Sequence, residues 1–306
     1  MEKQGGAQGF VAGAFSGVAK VSTGHPFDTI KVRLQTSSTS RFRGPWHCLH
    51  ETISQEGIRG LYKGFTPPLI GFVFMDSILL GSFSIYRDFF RRTCPNTSLP
   101  AKLPYLNEST RSCLIHGVSG GLAGWTVSLI AAPIEHIKAR LQIQYTTTGA
   151  QRLYSGPFDC LQKIFTSHGV AGVYRGFFST IVFRSFFAVF WSSYDVLSRK
   201  MQRRTNFNTP LINFLAAGFA AQMYWLTGYP TDVIKQRIMT SPLNGPRWSW
   251  MDTARTIYRE SGWRGFWRGF LPCILRAFPA NAMSIVAFEA SMRAMARHVY
   301  AVDLDL

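Results

Sequence analysis

Three stretches of the chain set a carboxylate two residues after a proline and a base three residues after the carboxylate. They are Pro26, Asp28 and Lys31; Pro133, Glu135 and Lys138; and Pro230, Asp232 and Lys235, each followed two positions on by an arginine, Arg33, Arg140 or Arg237. An acid and a base three apart share one helix face, so the chemistry on offer is ion pairing. In a soluble helix the pair is private. Inside a membrane, where ionisable groups are costly, such residues pair across the bundle interior. Four further charged residues stand within apolar runs, Lys20, Asp76, Arg184 and Arg276, where an ionisable side chain marks a path for a solute or an ion. The His and Cys residues fall in no metal-ligand spacing. No Gly-x-Gly-x-x-Gly or Walker pattern occurs, and no nucleophile, base and acid converge, so no metal, cofactor or enzymatic reaction is expected.

The proline pattern recurs roughly every hundred residues, a period that marks a tandem repeat. A second string recurs in phase with it. Gly57 precedes Tyr62-Lys63-Gly64, Gly169 precedes Tyr174-Arg175-Gly176, and Gly262 precedes Trp267-Arg268-Gly269. Gly44, Gly156 and Gly245, each followed by Pro, form a weaker third. The chain therefore divides into repeats over 1–100, 101–203 and 204–306. Each repeat reads as an apolar span, the proline motif, a polar loop with a short amphipathic helix, the aromatic-base-Gly string and a second apolar span. The spans lie near 8–34, 64–88, 111–141, 176–196, 211–238 and 270–292, each reaching the ~20 residues that cross a bilayer core. Pro26, Pro133 and Pro230 fall late in the odd spans, where they should kink rather than end the helix. Small residues such as Gly117, Gly120, Gly121 and Gly124 recur at a spacing that lets backbones approach closely.

Composition suits such a bundle. Only 16% of residues are charged and 46% are hydrophobic, against about 25% charged in soluble domains. The mean hydropathy of +0.04 is too low for spans that face only lipid, but fits spans around a polar cavity. A net charge of +17 suits an anionic membrane or anionic solutes. Nucleic acid is not expected as a partner, because the basic residues are spread between apolar runs. The five cysteines read as reduced, mostly packed thiols. The first residues form neither a signal peptide nor an Arg-rich presequence, so the address is expected within the chain.

In these repeated motifs the chain resembles the mitochondrial carrier family over nearly its whole length. Residues Gly24 to Gln35 and Leu275 to Ala282 are similar to the branch holding carnitine/acylcarnitine and basic amino-acid carriers. The resemblance implies an all-α membrane protein: six tilted transmembrane helices, arranged as three two-helix repeats around a pseudo-threefold axis and a central cavity. Three short amphipathic helices would lie on the matrix side, where the loops between paired spans carry many Lys and Arg. Both termini would face the intermembrane space. The expected function is alternating-access exchange of a small metabolite across the mitochondrial inner membrane. A monomer with bound cardiolipin is implied.

The family's pattern assigns roles residue by residue. A matrix-side gate would pair Asp28 with Lys138, Glu135 with Lys235 and Asp232 with Lys31. Gln35 and Gln142 stand where the family places a bracing glutamine, and Met239 takes that position in the third repeat. The cytoplasmic gate departs from the pattern. Asp195 and Glu289 have their arginines, Arg199 and Arg293, one place too late, and Asp88 has Arg91. That gate is either weak or rewired. Substrate contacts sit about seven residues past the aromatic-base-Gly glycine, at Gly71, Phe183 and Arg276, with Arg184 adjoining Phe183. Asp76 and Lys20 are further contacts, Lys20 equally a tuner of the gate. Arginines with an acid suit a zwitterion, and amino acids or carnitine-like compounds lead over carboxylates, nucleotides or an uncoupling leak. The aromatic-rich fourth span leaves an acyl chain open as well. Backbone N–H groups near Gly44, Gly64, Gly156, Gly176, Gly245 and Gly269 are positioned for cardiolipin phosphate.

Overall fold

The structure is a computed structural model that describes residues 2–37, 41–93, 108–144, 153–245 and 248–302. Among them there is no strand. Ten helices run in chain order: α1 (Glu2–Thr36), α2 (Pro45–Gly60), α3 (Thr66–Thr93), α4 (Glu108–Ile143), α5 (Pro157–Val173), α6 (Phe177–Arg184), α7 (Phe187–Arg204), α8 (Thr209–Thr240), α9 (Trp250–Gly265) and α10 (Phe270–Val302). Helices α1, α3, α4, α8 and α10 are 28 to 36 residues long, more than the ~20 that cross a bilayer core. By composition alone one 18-residue stretch within α4 passes as a membrane span, and α5 with the following pair α6–α7 passes together, bent by 50°.

Pro26, Pro133 and Pro230 lie inside α1, α4 and α8, which continue past them. The fourth span differs from the single helix expected. Its hydrogen bonds tighten after Arg184, where Phe186 N–H donates to the Phe183 carbonyl at 3.2 Å and Ala188 N–H to the Ser185 carbonyl at 3.0 Å. Such i→i+3 bonds wind the chain more tightly than an α-helix. Side chains after the break are therefore rotated relative to those before it.

The threefold repetition is visible in the backbone. Gly57, Gly169 and Gly262 interrupt α2, α5 and α9 with φ near +60° and ψ beyond ±150°, a region essentially confined to glycine. Seven residues on, Gly64, Gly176 and Gly269 have φ of 74°, 85° and 83°. A Cβ on Gly64 would stand 2.9 Å from the Lys138 carbonyl oxygen, and one on Gly176 2.8 Å from Met239. These glycines thus seat the start of an even span against the base-bearing turn of the next odd helix. The short helices start alike too: Cys48, Cys160 and Thr253 each donate a backbone N–H four residues back, and all three are buried. Burial pushes the Cys48 and Cys160 thiols up to about 11.

Two units divide the chain: Met1–Val73 with Ile137–Gly169 and Arg268–Leu306, and Phe74–His136 with Val170–Trp267. In the first, α1 packs along α10; Ser16 and Ser284 hydroxyls meet at 2.7 Å, and Gly24 leaves room for the Arg276 stem. Arg33 fastens α2. It donates to Thr52 and Glu56 at 2.9 and 2.7 Å and to the Gln142 carbonyl at 3.1 Å. Lys63 also pairs with Glu56, at 2.8 Å. Burial pushes the Glu56 carboxyl up, but the bonds and charges of Arg33 and Lys63 outweigh it and hold the group below 4.5.

In the second unit α7 lies against α4 on the glycine stripe. A Cβ on Gly124 would stand 2.4 Å from the Arg184 carbonyl oxygen, and one on Gly117 2.4 Å from the Ser192 hydroxyl. Aromatic rings fill the remaining space: Phe83 stacks on Trp191 at 3.8 Å, and Phe187 on Tyr224 at 5.0 Å.

Two measurements check this packing. Gly124→Ala, which meets backbone, should lower thermal stability in detergent by about 1–3 kcal/mol. Gly218→Ala, with nothing within 4 Å of its Cβ, should not lower it, since alanine is the better helix former. Glu56 gives the second. Its folded carboxyl titrates below its ordinary 4.5, so its contribution is whole above that pH and is lost as pH falls below it. Glu56→Gln should flatten that part of the melting temperature's acid dependence.

Candidate functional site

The proline-motif acids sit where long helices approach each other, and two of them take two cations each. In the first unit, Asp28 Oδ2 accepts from Lys138 Nζ at 2.7 Å, and Asp28 Oδ1 from Arg276 Nη1 at 2.9 Å. In the second, Glu135 Oε2 accepts from Lys235 Nζ at 3.0 Å, and Glu135 Oε1 from Arg184 Nη2 at 2.5 Å. The expected pairings of Asp28 with Lys138 and Glu135 with Lys235 are present as geometry, each joining two odd helices. The additional bonds join the same acids to the two arginines singled out midway along even spans.

The third acid also touches a lysine of its own helix. Asp232 lies 3.1 Å from Lys235 of its own helix, both nearly buried. That is the intrahelical pairing of a soluble helix, superposed on the bond from Lys235 to Glu135. Lys31, named as its partner, is buried on α1 in the other unit.

Gln142 braces the neighbourhood but not the ion pair. Its side-chain amide donates to Thr29 Oγ1 at 3.2 Å, next to Asp28, and its backbone carbonyl accepts from Arg33. Gln35 is buried on α1. His25 and His136 pack as linkers, bonded to the carbonyls of Lys63 at 2.9 Å and Val173 at 3.0 Å.

Of the remaining expected contacts, Phe183 is buried and lies 4.3 Å beneath the Lys235 ammonium. It also packs on Tyr224 and Trp225. Asp76 is exposed on α3, within electrostatic reach of Arg184. Gly71 is buried, and Lys20 is exposed on α1.

Midway along α7, Asp195 is engaged locally. It pairs with Arg199 one turn on and accepts from Ser112 on α4 at 3.0 Å, with His116 3.5 Å away. Arg199 also reaches the Ser109 carbonyl at 2.8 Å. Asp88 meets only its neighbour Arg87, at 3.3 Å, among the ion pairs described, while Arg91 and Arg293 are exposed. The side chain of Glu289 lies outside the described residues.

Sequence reasoning missed the partners of the motif arginines. Arg33 reaches Glu56 at 2.7 Å and Arg237 reaches Glu260 at 2.9 Å, an acid 23 residues further on in both repeats. That shared spacing was the available signal. The second repeat has Lys163 there instead.

Comparison with known proteins follows the same threefold division. The family described as mitochondrial carrier protein matches residues 2–93, 109–205 and 207–299. Mitochondrial substrate carrier family protein L of Dictyostelium discoideum is 42% identical over 93% of this chain and 94% of its own length. A mitochondrial basic amino acids transporter of Bos taurus is 38% identical over 89% and 87%. A glutamate/glycine mitochondrial carrier of Schizosaccharomyces pombe is 33% identical over 92% of both. Three matched repeats and full-length relatives place the chain: it belongs to the mitochondrial carrier family, and is a transporter of small molecules rather than an enzyme.

Proposed function

We propose that this carrier exchanges amino acids, basic ones foremost, across the mitochondrial inner membrane by alternating access. The observation that carries the reading is the pairing of a mid-span arginine with a carboxylate in each unit, Arg276 with Asp28 and Arg184 with Glu135. Such a pair offers both signs of charge to a solute that bears both, and a guanidinium takes a carboxylate bidentately. Relatives support it. The bovine protein at 38% identity is named for basic amino acids, and one of Arabidopsis thaliana at 32% for arginine. The fourth-span rings pack on one another, which favours a small polar solute over one with an acyl chain.

The charged residues of the three proline motifs form the matrix-side gate in this reading, with Gln142 and Gln35 stiffening it. The cytoplasmic gate is the weaker, because Asp195 is engaged with Arg199, Ser112 and nearby His116 inside one repeat. The carrier works as a monomer. Cardiolipin phosphate binds at the helix starts near Gly44, Gly64, Gly156, Gly176, Gly245 and Gly269. A cavity of about 260 Å³ lined by Arg59, Lys63, Gly64, Thr66 and Gly156 supports this at one position, since cations and free helix N–H groups suit an anion.

Purified protein in liposomes should exchange labelled arginine or lysine against internal amino acid with saturable counter-flow. Exchange of ATP or carboxylates alone, or fatty-acid-dependent proton flux alone, would overturn the assignment. A second measurement concerns the gate. Asp28→Lys and Lys138→Glu should each lower exchange at least tenfold, and the double change should restore part of it; purely additive losses would remove the pair from the gate.

A further inference from the structure

The seam between α4 and α7 brings a histidine to a carboxylate. Asp195 and His116 are both nearly buried there. Asp195 Oδ2 takes Arg199 of its own helix. Oδ1 accepts from the Ser112 hydroxyl at 3.0 Å, and His116 Nδ1 stands 3.5 Å from the same oxygen. His116 Nδ1 also lies 2.8 Å from the Ser112 backbone carbonyl. A carbonyl only accepts, so the proton of the neutral ring belongs on Nδ1, and Nε2 is the nitrogen that takes a second one. The charged groups around the ring come from three helices. On α7 they are Asp195 and Arg199. On α3, Phe83 packs at 5.9 Å from the imidazole, and Arg87, paired with the exposed Asp88, lies 5.6 Å from the Phe83 centroid. On α4 itself Arg111 stands five residues earlier.

The seam has other fastenings. Ser192 Oγ donates to the Cys113 carbonyl at 3.1 Å, and Arg199 reaches the Ser109 carbonyl at 2.8 Å. Gly117 and Gly120 admit Ser192 and Trp191 at close range. What the imidazole sets is the charge beside Oδ1. With a neutral ring, Oδ2 has a cation and Oδ1 a hydroxyl, and Asp195 with Arg199 sums to zero. A protonated ring puts a cation beside each oxygen, as Asp28 and Glu135 already have. The three side chains then carry a net positive charge.

We infer that the proton on His116 sets whether Asp195 stays clasped between α4 and α7 or is released to serve a cation elsewhere in the chain. His116 is in that sense a positioning residue for the transport cycle. The inference rests on the reading of Asp195 as part of the cytoplasmic gate. With His116 neutral, Oδ1 is held by a serine hydroxyl, a weaker tie than a bond to a cation. An arriving cation then meets a cluster with no net charge. With His116 protonated, both oxygens are committed and the cluster repels the same cation, with little screening in a buried setting. Alternating access needs the cytoplasmic side to close in every cycle, so protonation slows exchange without touching the solute's own contacts. Imidazole suits the task, because its charge ordinarily changes between about pH 5 and pH 8.

The test uses the full chain in liposomes with equal pH on both faces, and reads the exchange of labelled arginine from about pH 8 to about pH 5.5. The maximal rate of the unaltered protein should fall by about threefold or more over that interval, with KM little changed. His116→Asn keeps a donor near the Nδ1 position and never charges, so it should hold its alkaline rate down to the acid end. His116→Lys, cationic throughout, should be slow at both ends. Melting curves in detergent show whether each variant folds, and should the lysine variant fail to fold, the asparagine variant alone decides. A purely structural histidine would, when replaced by asparagine, lower the rate alike at every pH and leave the slope in place. Asp195→Asn separates the inference from the reading beneath it. If that variant exchanges arginine like the unaltered protein at every pH, Asp195 has no part in the gate and both fall. If it alters exchange while His116→Asn keeps the original pH profile, or while the unaltered protein shows no slope, the gate reading stands and the proton-set clasp is overturned.

Discussion

A carboxylate withdrawn from water among packed helices needs compensating charge, because an unpaired buried ion costs several kcal/mol. Asp28 and Glu135 receive that charge from two directions: a lysine on another odd helix and an arginine on an even one. Much of the surrounding structure serves these two contacts. Positive-φ glycines let α3 start against the Lys138 turn and α6 against α8. Gly24 makes room for the Arg276 stem, and Gly124 lets the Arg184 backbone close on α4. Sharing has a physical consequence. A cation on a shared carboxylate can be replaced without stripping the acid bare, so the barrier to exchange is lower than for an isolated buried pair.

The repeat turns one local solution into several. Each copy breaks its short helix at a glycine and begins its even span at another seven residues later. Local geometry is conserved across the copies while side-chain chemistry diverges. Arg33 and Arg237 find an acid on the following short helix, whereas the second repeat offers Lys163 at that spacing. Position 183 holds a phenylalanine buried beneath Lys235, and the repeat-equivalent Arg276 holds Asp28.

The helical repeat was legible because a proline, an acid and a base recur in phase, and because the spans between are long and apolar. The pairing of Asp28 with Lys138 and of Glu135 with Lys235 was legible for a different reason: buried charges must pair, and the repeat supplies the register. What escaped was anything set by local winding. A turn tightened at Ser185 and Phe186 follows an ordinary apolar run, and no residue type there announces it. That turn rotates the side chains from Phe187 onward relative to Phe183 and Arg184 before it. Likewise the spacing around Asp195 left its gate either weak or rewired, and Ser112 on α4 lies close enough to engage it. Short polar side chains make such contacts wherever helices come near, so spacing along one chain does not foretell them.

The fastening around Arg33 carries a mechanical consequence. Its guanidinium grips Thr52 and Glu56 on the short helix and the Gln142 carbonyl on α4, while Lys63 adds a bond to Glu56 and another to the Gln144 carbonyl at 2.6 Å. These bonds make a clasp rather than a hinge, because no single torsion can release one strand of it without straining the others. The C-terminal end of α1, the short helix and the tail of α4 therefore act as one stiff lever. Whatever force parts the helices above must swing that lever whole, and compliance is left to the glycine joints at 57 and 64 that flank its inner edge.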